Sequence, residues 1–310
     1  DSDLLPCDII IVVFHAGLSQ DFAYPGIDPT IYDLKSAYVD QNMVGENQPA
    51  YILNDPIYNG IILPEVQNII YYDVVEDIFG NPDYGTENLC DIQVGLTGIF
   101  CFLLGYHLGL PEMFDTSTGK PGIGYFGLMD YGSNNGRGVI PAPPSPWTRN
   151  LPDLTWSNIE TLLPLDNLDT IITAYKLDSL NLIYKINISD DEYFMIENRN
   201  NWVFPNVDID SLRRKNKIDD STLNYWFDTI ISEFPENKIQ IDPSTQVITG
   251  FDHYDYGLPG SGILLWHIKE PDLHLYSQGV NTSLNGKHIK IKEADGAQDI
   301  GTKSYAFFSS

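Results

Sequence analysis

An apolar run with an abrupt stop constrains this chain more than any other feature. From about Asn88 to Leu108, the residues Ile92, Val94, Leu96, Ile99, Phe100, Phe102, Leu103 and Leu104 fall on every side of a 3.6-residue period. A helix that is apolar all round belongs in an interior. Gly109 supplies its stop and Pro111 reinforces it, because glycine accepts left-handed backbone and proline cannot continue a helix. The fold must therefore bury this helix. A second run, CDIIIVVFHAG (Cys7–Gly17), is continuous, β-branched and closed by glycine. It reads as a buried strand, central in a sheet.

The rest of the chain is punctuated differently. AYILNDPIYNGIILPEVQNIIYYDVVED holds two or three short apolar runs broken by Asn-Asp-Pro, Asn-Gly and Pro. KPGIGYFGLMDYGSNNGRGVIPAPPSPW (Lys120–Trp147) is rich in Gly, Pro and Asn and reads as turn and loop between two halves of different character. After it come TIITAYKL, NLIYKINI, EYFMIENR, GILLWHI and KHIKIKEA, which alternate like strands. DDSTLNYWFDTIISEF (Asp219–Phe234) has the Asp/Ser cap and acidic first turn of a helix. The reading is an α+β chain. Residues 1–147 form one domain around the buried helix, and residues 148–310 form a β-rich subdomain of the same unit.

Charge narrows the partners. Seventeen Lys and Arg face 43 Asp and Glu, a formal net charge of -26 over 310 residues. A phosphate backbone is repelled by such a surface, so nucleic acid is excluded as a partner, and anionic membrane surfaces are disfavoured. No run of 18 apolar residues exists to span a bilayer. Acidity keeps a secreted protein soluble, and clustered carboxylates also hold calcium, although no stretch has the D-x-[DN]-x-[DN]-G loop pattern. Gly-x-Ser-x-Gly and the phosphate-binding Gly-x-x-x-x-Gly-Lys-[Ser/Thr] are both absent from the sequence.

Five ordered blocks, GLPEMFDT, GIGYFGLMDYGSNNG, EYFMIENRN, YGLPGSGILLWHI and KEADGAQDIG, resemble the immune inhibitor A-like family of secreted bacterial zinc metallopeptidases of the thuringilysin type. IIIVVFHAGLSQDF is similar to that family's first strand, and the resemblance runs from about Pro6 to Gly301. It implies a metzincin-like peptidase domain with a central mixed sheet and an active-site helix. There, His-Glu-x-x-His sets two imidazoles on one helix face for zinc. The Glu activates the metal-bound water, and a third ligand follows the Gly turn.

Gly105, Gly109, Leu110 and Pro111 fix the register of that motif here. Phe102 stands at the first His, Leu103 at the catalytic Glu and Tyr106 at the second His. Glu112 stands at the acidic third ligand, and Met129 in YFGLMDYG occupies the Met-turn. The resemblance thus implies the scaffold without its chemistry: no catalytic residue, no zinc and no cofactor unless calcium, with a vestigial site of Phe102, Leu103, Tyr106, Glu112 and Met129. His107 offers no alternative register, since four residues before it is Leu103 and four after it is Pro111. A site of His107, Glu112 and Asp115 needs a new geometry and lacks a base, so His107 reads as an exposed residue beside the old cleft. Apolar replacements fill the space that vacated ligands leave, which avoids unpaired buried polar groups. Tyr106 is placed to bond Glu112, and Glu112 left buried without a metal has a raised pKa.

Other candidates carry less. His15 reads as a hydrogen-bonded strand-end residue, His267 as a core hydrogen-bonding one, and His253, His274 and His288 as surface residues. Glu197 in FMIENRN and Glu293, Asp295 and Asp299 in KEADGAQD resemble family segments that imply structural calcium, weighed against ion pairs with Arg199 or Lys292, or plain solvation. Cys7, Cys90 and Cys101 allow one disulfide, Cys7–Cys90, with Cys101 a buried inert thiol. Asn187-Ile188-Ser189 and Asn281-Thr282-Ser283 match the glycosylation triplet, a motif common by chance.

The function expected is that of a pseudopeptidase, secreted or on the cell surface with its signal peptide removed, binding peptide or protein. Two alternatives stand beside it: a self-assembling structural subunit of an extracellular or cell-surface structure, and a residual zinc peptidase with a rearranged site. The 19 Tyr suit interfaces and cores alike. The apolar close at AFFSS leads us to expect a native chain that continues past Ser310.

Overall fold

Ile11, Val12 and Val13 are stiff at χ1 and favour extended backbone, so the first described element is a strand, but it is not the buried one that the apolar run implies, since Val13 and Phe14 are 52% and 63% exposed. The computed structural model describes residues 10–19, 21, 33–40, 43, 50–52, 55–57, 59–67, 69–76, 82–92, 94–136, 138–152, 154, 156–162, 182–201, 239–244, 248–251, 254–270, 279–282, 287–294, 296 and 300. Contacts divide the chain into two units. The first is Asp1–Gly109 with Arg137–Val139, and the second is Leu110–Gly136 with Ile140–Ser310. The protein is mixed α+β.

The first unit contains, in order, β1 (Ile11–Leu18), β2 (Ala37–Val39), β3 (Ala50–Ile52), β4 (Asp55–Ile57), β5 (Gly60–Val66), β6 (Ile69–Glu76), β7 (Pro82–Ile92) and the helix α1 (Leu96–His107). β5 lies between β1, which it pairs in parallel, and β2, which it pairs antiparallel. β3 with β4 and β6 with β7 form separate antiparallel hairpins.

The helix is shorter than the apolar run predicts. Residues 89–92 pair with residues 69–72 in the β6–β7 ladder, because a stretch that fits a 3.6-residue period also fits a strand partner when one is adjacent. α1 starts only after Gly95, where no side chain caps it. Instead the Gly98 N–H donates to the Gly138 carbonyl at 2.7 Å, which satisfies one orphan donor of the first turn. A Cβ on Gly95 would lie 2.7 Å from Val139 Cγ2, so glycine is needed for that approach. At the other end Gly109 adopts φ 76°, and its N–H donates to Tyr106.

Ile61, Leu63 and Leu103 form the centre of this unit's core, with Ile10, Val12, Tyr38, Ile99, Phe100, Phe102, Leu104 and Tyr106 packed around it. The helix is not buried all round as its composition implies. Gly98, Leu103 and Gly105 are buried, and the flanking apolar residues are half-buried. A three-stranded sheet covers one face of a 12-residue helix and leaves the flanks partly open.

The second unit contains β8 (Asn158–Leu162), β9 (Leu182–Asn187), β10 (Glu192–Arg199), β11 (Ile239–Ile241), β12 (Ile248–Phe251), β13 (Gly262–Lys269) and β14 (Ile289–Ile291). Five of them form a sheet in the order β14-β13-β10-β9-β8, antiparallel except for the β8–β9 pair. β11 and β12 pair separately. Along β10 the burial alternates strictly, so Tyr193, Met195, Glu197 and Arg199 share the inner face. Residues 110–136 and 140–150 run as loop and short 3-10 turns at Gly124–Phe126, Tyr131–Asn134 and Thr148–Asn150, and over the described part of Lys120–Trp147 this is the loop that the Gly/Pro content predicts. The strand expected in TIITAYKL and the helix expected at Asp219–Phe234 lie outside the described residues.

Candidate functional site

The positions that the resemblance assigns to zinc chemistry fall in both units, and each unit has its own local logic. In the first, α1 brings Phe102, Leu103 and Tyr106 onto the sheet. Leu103 is 5% exposed against Ile61 and Leu63. Phe102 and Tyr106, four residues apart on one helix face, meet edge to face with ring centroids 5.0 Å apart. Tyr106 also stacks on Tyr38 of β2 at 6.1 Å. Three aromatic rings and a leucine thus occupy the face on which a zinc helix would carry imidazoles and a carboxylate.

His107 is half-buried rather than exposed. The last turn of α1 sets its ring edge-on to Tyr38 at 6.3 Å, which draws it under cover. Its Nδ1 is buried and has no hydrogen-bond partner among the described residues. At the end of β1, His15 is half-buried, with Nδ1 3.1 Å from the Ala16 carbonyl oxygen. Its Nε2 is buried without a partner among the described residues, so the hydrogen bonding expected of this strand-end residue is met at one nitrogen only. Cys101, also on α1, is a free, half-buried thiol whose pKa burial pushes up. Cys7 lies outside the described residues, and Cys90 is a β7 residue whose side chain is not described.

In the second unit the segment after the helix is held by backbone pairing and one carboxylate. Met113 N–H donates to the Met129 carbonyl at 2.8 Å, and Met129 is 1% exposed. Glu112 is half-buried, and its carbonyl accepts from Val280 N–H at 3.3 Å. Asp115 closes its own turn, with Oδ1 accepting from the Ser117 N–H at 2.9 Å and the Ser117 hydroxyl at 2.6 Å. Next to Met129, Asp130 is 2% exposed. Its Oδ2 accepts from the N–H groups of Gly122, Ile123 and Gly124 at 2.7–2.9 Å, and its Oδ1 accepts from Tyr131 N–H at 2.8 Å. Burial raises its carboxyl to about 6, against those four donors pulling it down. Gly122 is obligatory there, since a Cβ would fall 1.8 Å from the Met113 carbonyl oxygen. The segment around Met129 is therefore organised by Asp130.

Glu197, weighed above as a calcium ligand or an ion-pair partner of Arg199, is here the centre of a buried ion cluster. Its Oε1 accepts from Arg199 Nη1 and Trp266 Nε1, each at 3.0 Å, and its Oε2 pairs with Arg149. Arg199 in turn binds Asp255, Nε to Oδ1 at 2.8 Å, and Asp255 Oδ2 accepts from Asn200 N–H at 2.9 Å. Arg149 also donates to the Pro144 carbonyl and to the Ser157 hydroxyl, each at 3.0 Å. Two guanidiniums balance two carboxylates, which is what keeps four buried charges tolerable. Burial pushes Glu197 up, but Arg199 and Arg149 more than reverse this and hold it below the usual carboxylate range.

Among the described residues no three His, Cys, Asp or Glu side chains group to hold a metal ion. Glu293 Oε1 accepts from Ile300 N–H at 2.8 Å, while Asp295 and Asp299 lie outside the described residues. His267 Nε2 lies 2.6 Å from Glu192 Oε1 across the β10–β13 pair, and half-buried His288 lies 3.0 Å from the Lys269 carbonyl oxygen. His253 and His274 fall outside the described residues. Asp130, Arg149 and Asp255 carry the second unit's polar structure, and the sequence reading passed over all three. Their signal was a charge within a Gly-, Pro- or Tyr-rich segment.

The chain matches no protein-family model, no curated protein and no solved structure. No described helix is long and apolar enough to cross a membrane.

Proposed function

We propose that this chain is a catalytically inactive homologue of zinc metallopeptidases, secreted or displayed at a cell surface, that binds peptide or protein without cleaving it. Leu103 carries the proposal. It stands where the resemblance requires a general base, and it is the buried contact of α1 with Ile61 and Leu63. Metal-assisted hydrolysis needs a carboxylate beside an activated water, and a leucine in an apolar core supplies neither. The ring pair of Phe102 and Tyr106 supports the same reading, because it uses for packing the helix face that two ligands would share. A net charge of -26 suits a protein that stays soluble and selects neutral or basic polypeptides.

A casein and peptide-library assay, read by mass spectrometry with and without chelator, tests the reading. The expected result is retention of a subset of peptides and no chelator-sensitive cleavage. Cleavage that chelator abolishes and that His107→Ala removes would establish a rearranged peptidase instead. Ordered self-assembly with no peptide retained would establish a structural subunit.

A further inference from the structure

The two Asn-x-Ser/Thr triplets have opposite surroundings. Asn281 is 2% exposed. Its Nδ2 donates to the Met113 and Ile289 carbonyls at 2.8 and 2.9 Å, and its Oδ1 accepts from Ile289 N–H at 3.0 Å. Both amide protons are thus used in fastening the Met113 loop to β14. A sugar on Nδ2 would remove one of those donors and has no room beside Gly122, where even a Cβ would sit 2.5 Å from that nitrogen.

Asn187 is the exposed last residue of β9, at the turn into β10. The N–H groups of Ile188 and Ser189 both donate to the Glu192 carbonyl, at 2.8 and 2.9 Å, which fixes the turn through its backbone. The Asn187 carboxamide makes no hydrogen bond among the described residues and carries no structural duty there. Beside it Ile188 is 52% exposed, an apolar side chain at a turn tip that the face of a sugar would cover.

We propose that Asn187, and not Asn281, is an acceptor for an N-linked glycan, an inference that rests on the secreted or surface reading above. The donor is a polyprenyl-diphosphate-linked oligosaccharide. Asn187 Nδ2 attacks C1 of its first sugar, the N–C1 bond forms as the C1–O bond breaks, and the diphosphate leaves with the electron pair. The amide gives one proton to a base of the transferase, and nothing is oxidised or reduced. Ser189, whose hydroxyl donates to Asp191 Oδ1 at 2.7 Å in the fold, supplies the third residue that the transferase reads. A chain modified at Asn281 cannot close the Met113 clasp, so the folded pool is unmodified there.

The test secretes the full chain from eukaryotic cells behind a supplied leader, with translation into microsomes as the second route. Glycosidase release in heavy-oxygen water then marks each formerly occupied asparagine as aspartate. The expected result is one glycan, marked at Asn187, lost in both Asn187→Gln and Ser189→Ala while the folded yield matches the parent. No glycan by either route, or a mark at Asn281 in folded protein, would overturn the proposal. Because the leader is supplied, the result is independent of where the native chain resides. Native protein found only inside the cell would overturn the proposal through the secreted reading on which it rests, whereas an unmodified Asn187 in the secreted chain would overturn it with that reading intact.

Discussion

Glu197 and Asp130 are both buried carboxylates, yet they answer pH in opposite directions. Glu197 is held below its unfolded value of 4.5, so its contribution is present above that value and lost as pH falls through the folded one. Glu197→Gln leaves two guanidiniums facing one carboxylate. We expect it to cost about 3–5 kcal/mol in urea unfolding at neutral pH and to flatten the acid limb below about pH 4.5. Asp130 is raised from 3.8 to about 6, so its contribution is present below pH 3.8 and lost as pH rises through about 6. Asp130→Asn turns an amide donor toward N–H groups. It should cost about 1–3 kcal/mol and abolish the loss of stability between pH 4 and 6 that is expected of the parent. Unfolding curves across pH for the two variants read both signs.

Among the elements, α1 shows what a sequence can and cannot disclose. Its stop was legible because Gly109 and Pro111 act locally. Its start was not, because residues 89–92 are taken by a ladder whose partner, residues 69–72, lies about twenty residues away. β9, β10, β13 and β14 were legible from alternation. The charges on the inner face of β10 were not, since nothing in EYFMIENR says that Arg149 and Asp255 arrive from short 3-10 turns to meet Glu197 and Arg199. For the candidate site, the resemblance supplied residue positions, and packing supplied their present use. Leu103→Ala should therefore cost about 2–5 kcal/mol, measured in urea, as expected of a leucine truncated in a packed core. Leu103→Glu, which places a carboxylate there, should cost at least as much and yield no hydrolysis, because the charge enters apolar surroundings.

For the whole molecule, 43 acidic side chains against 17 basic ones set a field that opposes compaction. Raising NaCl from about 0.05 to about 0.5 M should screen that repulsion and raise the melting temperature by a few degrees. The most direct check is elemental analysis of zinc in the full chain after equilibration with excess Zn²⁺ and exhaustive dialysis. Far less than one zinc per chain, unchanged in His107→Ala, is the result expected of a helix that packs with Phe102, Leu103 and Tyr106. One tightly retained zinc per chain, lost in His107→Ala, would contradict it.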